Sequence, residues 1–558
     1  MNDGLKDKHR KAIFDILTAN PRVERVVLFG SRAMGTFTTT SDVDLALFGD
    51  ELTLTDQARL AAAIDKLPMA QQVDLLIYKS IDNDKLKQHI KKHGKEWFRR
   101  GWVMSADWPL VELSELVKDL TVGFVGSMTQ EYVEKGVPFF RSKNIKPYDL
   151  EWADIKYVSR QFHEKLKKSS LAPGDVVIVR TGTPGTACVI PESVEEANCS
   201  DVVIARVNDK KLSAYYLSYF MNSVAVHQVS SHLVCAVQQH FNIGSAKKIK
   251  IPLPSRDEQE EIVTVLKTLD DKLKLNRQIN QTLEEMAQAI FKSWFVDFEP
   301  VKAKIKAKVS GQNPERAAMC AISGKTAAEL DQLPPDQFAQ LRATAALFSD
   351  ELTDSELGLI PKGWEVKSIS DISKFASGKI DVSALGIENY ISTENMLENR
   401  RGVSFASSLP SVSTVPSFSK GQVLISNIRP YFKKIWIASF DGGRSNDVLA
   451  FDSTEKNCTE FLYNLLYQDT FFDFMMRTSK GAKMPRGDKN AITGWKFADS
   501  GYVLRSFFSA NVRPYYSYIE SLNAEVQQLS LTRDTLLPKL LSGEISVGSA
   551  QSTIDEAV

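Results

Sequence analysis

Residues 256–297 read RDEQEEIVTVLKTLDDKLKLNRQINQTLEEMAQAIFKSWFVD. Apolar side chains fall at Ile262, Leu266, Leu269 and Leu273, then at Leu283, Ala287, Ile290 and Trp294, with Asn276 and Asn280 in the seam between the two groups. Steps of four and three, held without Pro or Gly, are the period of a coiled-coil helix. Such a helix is a rod of roughly 60 Å, far longer than one globular domain needs to bury a stripe. A second seam runs through Tyr515, Ile519, Leu522, Val526, Leu529, Leu536 and Leu540, is broken at Arg533, and stops at Gly543. Two long seams in one chain most simply bury each other, and the two Asn fix their register at some loss of stability. The alternative is that each helix packs on its own neighbouring domain. On either reading the long helices divide the chain.

A chain of 558 residues with 43% apolar side chains has room for three or four domains with real cores. Without a run of eighteen apolar residues, and with the polar start MNDGLKDKHRK, no membrane segment is expected and the chain is read as cytoplasmic. Cys188, Cys199, Cys235, Cys320 and Cys458 form no CxxC pair, so they are expected reduced and buried rather than bridged or holding zinc. Lys plus Arg and Asp plus Glu balance at 69 each, so any nucleic-acid surface must be local or shared with partners.

After an amphipathic helix at 8–18, residues 22–48 read RVERVVLFGSRAMGTFTTTSDVDLALF. VVLF reads as a buried strand, GSR as the turn into a helix and SDVDLALF as a second strand. Asp42 and Asp44, two apart on a strand, point to one face, and QQVDLLIY brings Asp74 on a third strand. Three converging carboxylates repel one another unless a metal neutralises them, an arrangement suited to phosphoryl transfer. Gly30 and Ser31 at the helix start offer donors to a nucleotide's phosphates, and Arg32 adds charge. The pattern GSRAMG, SDVDLAL, VDLL resembles the minimal nucleotidyltransferases of the polymerase-beta superfamily. The resemblance implies Mg2+ on Asp42, Asp44 and Asp74, a nucleoside triphosphate on Gly30, Ser31 and Arg32, and, in some members, transfer of AMP to a partner protein. Residues 81–98 close the domain as a basic helix, with His89 and His93 on a solvated face.

From 106 the chain alternates short strands with Gly and Pro punctuation: GVPFFRSKNIKP at 136–147, LAPGDVVIVRTGTPGTACVIP at 171–191 and CSDVVIARV at 199–207. Lys143, Asn144, Arg180 and Thr181 stand on its loops as candidate donors to phosphates and base edges. The same parts recur in the same order about 250 residues on. PKGWEVKSISDISKF echoes DWPLVELSELVKDL, FSKGQVLISNIRPYF echoes the GDVVIVRTG segment, RSNDVLAF echoes CSDVVIARV, and TEFLYNLLY echoes SAYYLSYFM. The chain is thus domain, rod, domain, rod, with a further domain in front. Asp336, Glu365 and Lys367 lack the spacing of a nuclease triad, and WEVK is better read as the start of the second domain.

This arrangement resembles the specificity subunits of type I restriction-modification enzymes. EQEEIVTVLKTLDDKLKLNRQINQTLEEMAQAIFKSWFVDFEPV and TRDTLLPKLLSGEI are similar to that family's two conserved helical regions, and the domains before them to its target-recognition domains. The expected fold is α+β and multidomain: an α/β nucleotidyltransferase, then two α/β target-recognition domains separated by two long helices in an antiparallel coiled coil. The expected boundaries are 1–105, 106–255, 256–300 for the first helix, 301–360 for a helical connector, 361–505, 506–547 for the second helix, and a frayed tail at 548–558. The resemblance implies double-stranded DNA as ligand, read as a split and asymmetric site. Its implied partners are two methyltransferase subunits, which use S-adenosylmethionine, and restriction or translocase subunits, which use ATP. Candidate readers in the second half are Asn427, Arg429, Lys433, Lys483 and Arg486. No NPPY-like methyltransferase motif and no GxxxxGK[ST] loop is present. Three readings stay open for the front domain: an accessory that nucleotidylates a partner, an enzyme that uses the DNA reader for targeting, or an inert docking module.

Overall fold

The computed structural model describes the chain apart from residues 1–4, 6, 21, 36, 39, 40, 50, 51, 70, 82, 100–105, 129, 226, 227, 230–240, 482 and 558. Cys235 lies outside the described residues. The chain forms two compact units, Met1–Leu273 with Gln528–Val558, and Lys274–Gln527. Among the described residues no helix is long and apolar enough to cross a membrane. Cys188, Cys199 and Cys458 are buried and unbridged; Cys320, expected buried, is only partly so.

The first unit opens with α1 (Asp7–Ala19), β1 (Arg25–Phe29), α2 (Gly30–Met34), β2 (Val43–Phe48), α3 (Leu54–Ile64), β3 (Val73–Ile77), α4 (Asp84–His93) and β4 (Lys95–Arg99). The sheet order is β3-β2-β1-β4, with β2 and β3 parallel and the other pairs antiparallel. Ile13 and Leu17 of α1 and Leu60 and Ile64 of α3 pack on one face with Val26, Leu28, Leu45 and Leu75. Ile90 of α4 covers Val27, Phe29 and Ala46 on the other. A strand buried on both faces needs a continuous apolar run such as VVLF, which is why the central strands β1 and β2 do not alternate, whereas the edge strand β3 does.

The first recognition domain contains β5 (Leu110–Glu112), β6 (Val117–Val122), β7 (Val137–Phe140), β8 (Val176–Val179), β9 (Ala187–Val189), β10 (Ala197–Cys199), β11 (Val202–Val207), α5 (Ala214–Asn222) and β12 (Lys250–Pro252). An antiparallel sheet runs β6-β11-β8-β9, β5 pairs with β12, and β7 pairs in parallel with β10. Leu266, Leu269 and Leu273 of the first long helix (Arg256–Phe291) are buried in this unit, as are Leu529, Leu536 and Leu540 of the second (Tyr502–Ser542). The break in the seam at Arg533 is an ion pair. Arg533 Nη1 lies 2.9 Å from Asp270 Oδ1, Tyr219 Oη donates to Asp270 Oδ2 at 2.7 Å, and the guanidinium sits over the Tyr148 ring.

Two expectations are corrected at the chain's far end. The second long helix starts at Tyr502, four residues before the expected 506. The segment expected as a frayed tail is a helix, Val547–Ala557, because Ala550 and Ile554, one turn apart, bury one face.

In the second unit, helices Glu299–Val309, Pro314–Ser323 and Pro335–Ala346 form the connector, with Pro335 at the first position of its helix, where its missing N–H leaves no bond unmade. Then come β13 (Glu365–Ser368), β14 (Ser373–Phe375), β15 (Tyr390–Ile391), β16 (Val423–Ser426), β17 (Ile435–Ile437), β18 (Gly442–Arg444), β19 (Val448–Ser453), α6 (Thr459–Leu466) and β20 (Lys496–Asp499). The main sheet runs β14-β19-β16-β17, β13 pairs with β20, and β15 pairs in parallel with β18. In both domains the sheet places its strands first, fourth, second and third in chain order, so the duplication read in the sequence is a duplication of topology.

The long helices run antiparallel within this unit: Asn280 Nδ2 donates to Asn523 Oδ1 at 2.8 Å, and the Phe291 ring meets Phe508 at 5.6 Å. Asn276 is buried in the same seam with an amide nitrogen that finds no partner among the described residues, the destabilising polar position anticipated there. Lys367, weighed as part of a nuclease triad, pairs instead with the buried Asp499 at 2.9 Å.

Candidate functional sites

The front sheet gathers its polar residues at one edge. Phe29, the last residue of β1, pairs with Asp44 of β2, and Asp44 pairs in parallel register with Asp74 of β3. Asp42 stands two residues before Asp44 and shares its face. The turn after Phe29 is Gly30, with φ +70°, and a Cβ built there would lie 2.1 Å from Asp44 Oδ2. Only glycine lets the backbone of the GS turn approach the carboxylate so closely. Burial raises the Asp44 carboxyl above its ordinary range, and the charges of Asp74 and Asp42 push it the same way, against the pull of His89 and Arg32.

Two expectations change. Arg32, expected to add charge for phosphates, is fully buried, and its guanidinium donates to the carbonyls of Ser41 and Asp42 at 2.6–3.0 Å. It holds the segment that presents Asp42. His89 is not on a solvated face, because α4 packs against α2 and brings its imidazole within electrostatic range of Asp44. The His89 and His93 rings are 5.1 Å apart.

The donor set suits a divalent cation in kind: three carboxylates on adjacent strand starts whose mutual repulsion is already felt at Asp44. Among the described residues, no three His, Cys, Asp or Glu side chains close to ligand distance of one point.

In the first recognition domain, Asn144 is fully buried. Its Oδ1 accepts from the Arg141 N–H, and its Nδ2 donates to the carbonyls of Glu151 and Ala153. This amide closes a loop and has no edge left for a base. Replacing it with Ala is expected to cost about 1–3 kcal/mol in chemical unfolding while leaving the DNA sequence preference unchanged. A changed preference at unchanged stability would restore Asn144 as a reader. Lys143 pairs with the Asp154 carboxylate, which Lys156 also meets at 3.1 Å. Arg180 Nη1 stands 3.7 Å from Asp201 Oδ1, and Thr181 Oγ1 donates to the same carboxylate.

The second domain repeats the theme. Asn427, at the position matching Arg180, is buried and donates through Nδ2 to the Gly487 carbonyl at 3.2 Å. It therefore clasps the loop that carries Lys483 and Arg486. Arg429 and Lys433 have left-handed backbones, at φ +50° each. Lys433 Nζ lies 2.8 Å from Asp469, and Arg486 Nη2 lies 3.1 Å from Asp447. Lys483 is exposed. The sequence reading missed the acids Asp154, Asp201, Asp447 and Asp469; the repeated Asp-Val before the last strand of each sheet was the signal for two of them.

Fold and sites define a duplicated recognition scaffold behind a compact nucleotidyltransferase-type domain. Residues 11–101 match the family described as polymerase beta, nucleotidyltransferase, and residues 107–285 match the type I restriction modification DNA specificity domain. The type I restriction enzyme HindI specificity subunit of Haemophilus influenzae is 32% identical over 336 residues, 55% of this chain and 71% of that one. The MjaIX specificity subunit of Methanocaldococcus jannaschii is 23% identical over 459 residues, 79% of this chain and 94% of that one. A crystal structure of the type I restriction-modification S subunit from M. genitalium aligns with TM-score 0.45 at 13% identity, covering 78% of this chain and 96% of that one. The chain belongs to the type I restriction enzyme specificity subunits, and it carries a nucleotidyltransferase domain of the polymerase beta family in front.

Proposed function

We propose that the two recognition domains each read one half of a split DNA site, asymmetric because their loops differ, and so direct adenine methylation and restriction by partner subunits. In this reading a pair of methyltransferase subunits supplies S-adenosylmethionine chemistry, and restriction subunits supply ATP-driven translocation. The observation that carries it is the repeated strand order, which presents non-identical cationic loops, around Arg180 and Arg486, at the same corner of two copies of one sheet. Lys143, Arg180, Thr181, Arg429, Lys433, Lys483 and Arg486 are the proposed contacts to DNA.

A second reading is favoured by the close approach of Gly30 to Asp44. Here the front domain transfers a nucleotidyl group to a partner. Asp42, Asp44 and Asp74 would hold Mg2+, which when bound neutralises charge on the transferred phosphate. Gly30 and Ser31 would orient the triphosphate at the start of α2, Arg32 keeps the Asp42 segment in place, and α4 shields one side of the site.

The test is to purify the chain with its methyltransferase partner and map methylated adenines, for wild type and for Asp42→Ala/Asp44→Ala. A single split motif, the same in both samples, is expected. Absence of any split motif would sink the DNA-reading proposal, and a motif lost only in a folded variant would make the front domain a controller of recognition.

A further inference from the structure

Each copy of the recognition sheet carries one aspartate at the same corner. Asp201 immediately precedes β11 and Asp447 immediately precedes β19, the strands that fill the second place in their sheets. Beside them run the exits of β8 and β16, since Val179 pairs with Val202 and Ser426 with Val448. In both copies a carbonyl and a carboxylate of this residue are bound by the reading loops. Asp201 accepts from Ser142 Oγ at its carbonyl and from Thr181 at its carboxylate, with Arg180 Nη1 3.7 Å away. Asp447 accepts from the Asn427 N–H at its carbonyl and from Arg486 Nη2 at its carboxylate, 3.1 Å away. Neither pair is enclosed: the acids are 48% and 34% exposed and their arginines 20% and 57%, so a solvent-borne anion competes readily for Arg486 and, at its open edge, for Arg180, whose Nε is already given to the Phe241 carbonyl.

Carboxylate and phosphate offer the same oxygen pair to Arg, and an exposed ion pair is weak enough to exchange one for the other. A second layer repeats the pairing, with Lys143 on Asp154 and Lys433 on Asp469. The balance of 69 cationic and 69 anionic residues in the whole chain is thus reproduced loop by loop where DNA would bind.

We propose that Asp201 and Asp447 are intramolecular stand-ins for DNA phosphate, offsetting the positive charge of Arg180 and Arg486 in the DNA-free protein and yielding them only to a duplex that makes enough other contacts. This rests on the DNA-reading function above and adds to it a threshold that a duplex must pass to bind. Nonspecific duplex has only backbone charge to offer and must displace both acids for little gain. A matching site offsets the same displacement with base contacts. The acids therefore weaken both kinds of binding alike, and only a site that adds base contacts stays tight enough to hold the protein.

The test is the full chain carrying Asp201→Asn and Asp447→Asn, titrated with a short duplex of unrelated sequence and with the duplex bearing the methylated motif, across a salt series. Asn tolerates the left-handed backbone of residue 201 and still accepts the Thr181 hydroxyl, so the fold is retained. The expected result is affinity for both duplexes tightened by a similar factor, about five- to tenfold at low salt, with a salt slope steeper by about one per site. Unchanged nonspecific affinity and slope with a lowered unfolding temperature would reduce the acids to loop clamps and overturn the proposal. Loss of motif binding with unchanged nonspecific binding would also overturn it, since the acids would then contact bases directly. If wild type binds neither duplex, the DNA-reading function itself fails, a result distinct from both.

Discussion

Replacing Arg505 with Ala should destabilise the second unit by about 3–5 kcal/mol, the range for removing one partner of a buried ion pair. Arg505 sits in the first turn of the second long helix with its side chain 1% exposed, and its two terminal nitrogens bind Asp499, equally buried, and Glu455. Asp499 ends β20 and also receives Lys367 of β13. The arginine thus joins the closing strand of the recognition domain to the helix that follows it. Without the guanidinium, Asp499 keeps Lys367 alone and Glu455 loses its partner. Urea unfolding followed by fluorescence of Trp364, Trp436 and Trp495 should show an early transition in the variant. The double variant Arg505→Met/Asp499→Leu should recover part of the loss, because apolar replacements of a whole buried pair are far less costly than half of one. A change below about 1 kcal/mol in the single variant would mean that solvent already reaches this pair.

Gly30→Ala should abolish any nucleotidyl transfer while leaving the chain folded. The substitution meets two obstacles: a left-handed backbone, costing about 1–2 kcal/mol for a residue with a side chain, and a Cβ driven into the Asp44 carboxylate. Misplacing a reacting group by about 1 Å can lower a rate by about 100-fold, and Asp44 must move at least that far. Gly35→Ala is the matched control, since Gly35 has φ +75° but no atom within 4 Å of its would-be Cβ. It carries the strain without the collision and should keep its activity. Transfer of label from an α-labelled nucleoside triphosphate to protein, compared across wild type, both Gly variants and Asp44→Ala, reads the difference. Equal label from Gly30→Ala and wild type would remove Asp44 from the chemistry.

The parts of this chain that were legible in the sequence are those written locally or repeated. The heptad steps from Ile262 to Ile290 gave the first long helix, the pair Asp42 and Asp44 with its GS turn gave the front domain, and the echo of CSDVVIARV in RSNDVLAF gave the duplication. What stayed hidden depends on partners far apart in the chain. Arg533 looked like a break in a seam until Asp270 stood beside it. Arg32 and Asn144 looked like ligand donors because their residue types are suited to that work, yet backbone carbonyls on neighbouring loops had already claimed them. The acids opposite the cationic loops stayed hidden because only the fold sets them against their Lys and Arg partners. The last helix was missed because its buried face consists of little more than Ala550 and Ile554 in a polar background.

The small paired strands β5–β12 and β13–β20 have a consequence for how such a protein changes over time. Each pair consists of the first and last strands of one recognition domain, so the chain enters and leaves that domain through neighbouring positions. In topological terms each domain is an insertion hung from a two-strand doorway, and insertions with adjacent ends are exchanged with little effect on the body that hosts them. A foreign domain must bring its own doorway strands and also a matching face, because in the second unit Phe461 packs on Phe291 and Phe508 of the long helices and Gln288 donates to Asn464. If each domain reads half of a DNA site, as proposed, exchange of domains between two such doorways makes the variety of sites grow as the product of the two sets rather than their sum.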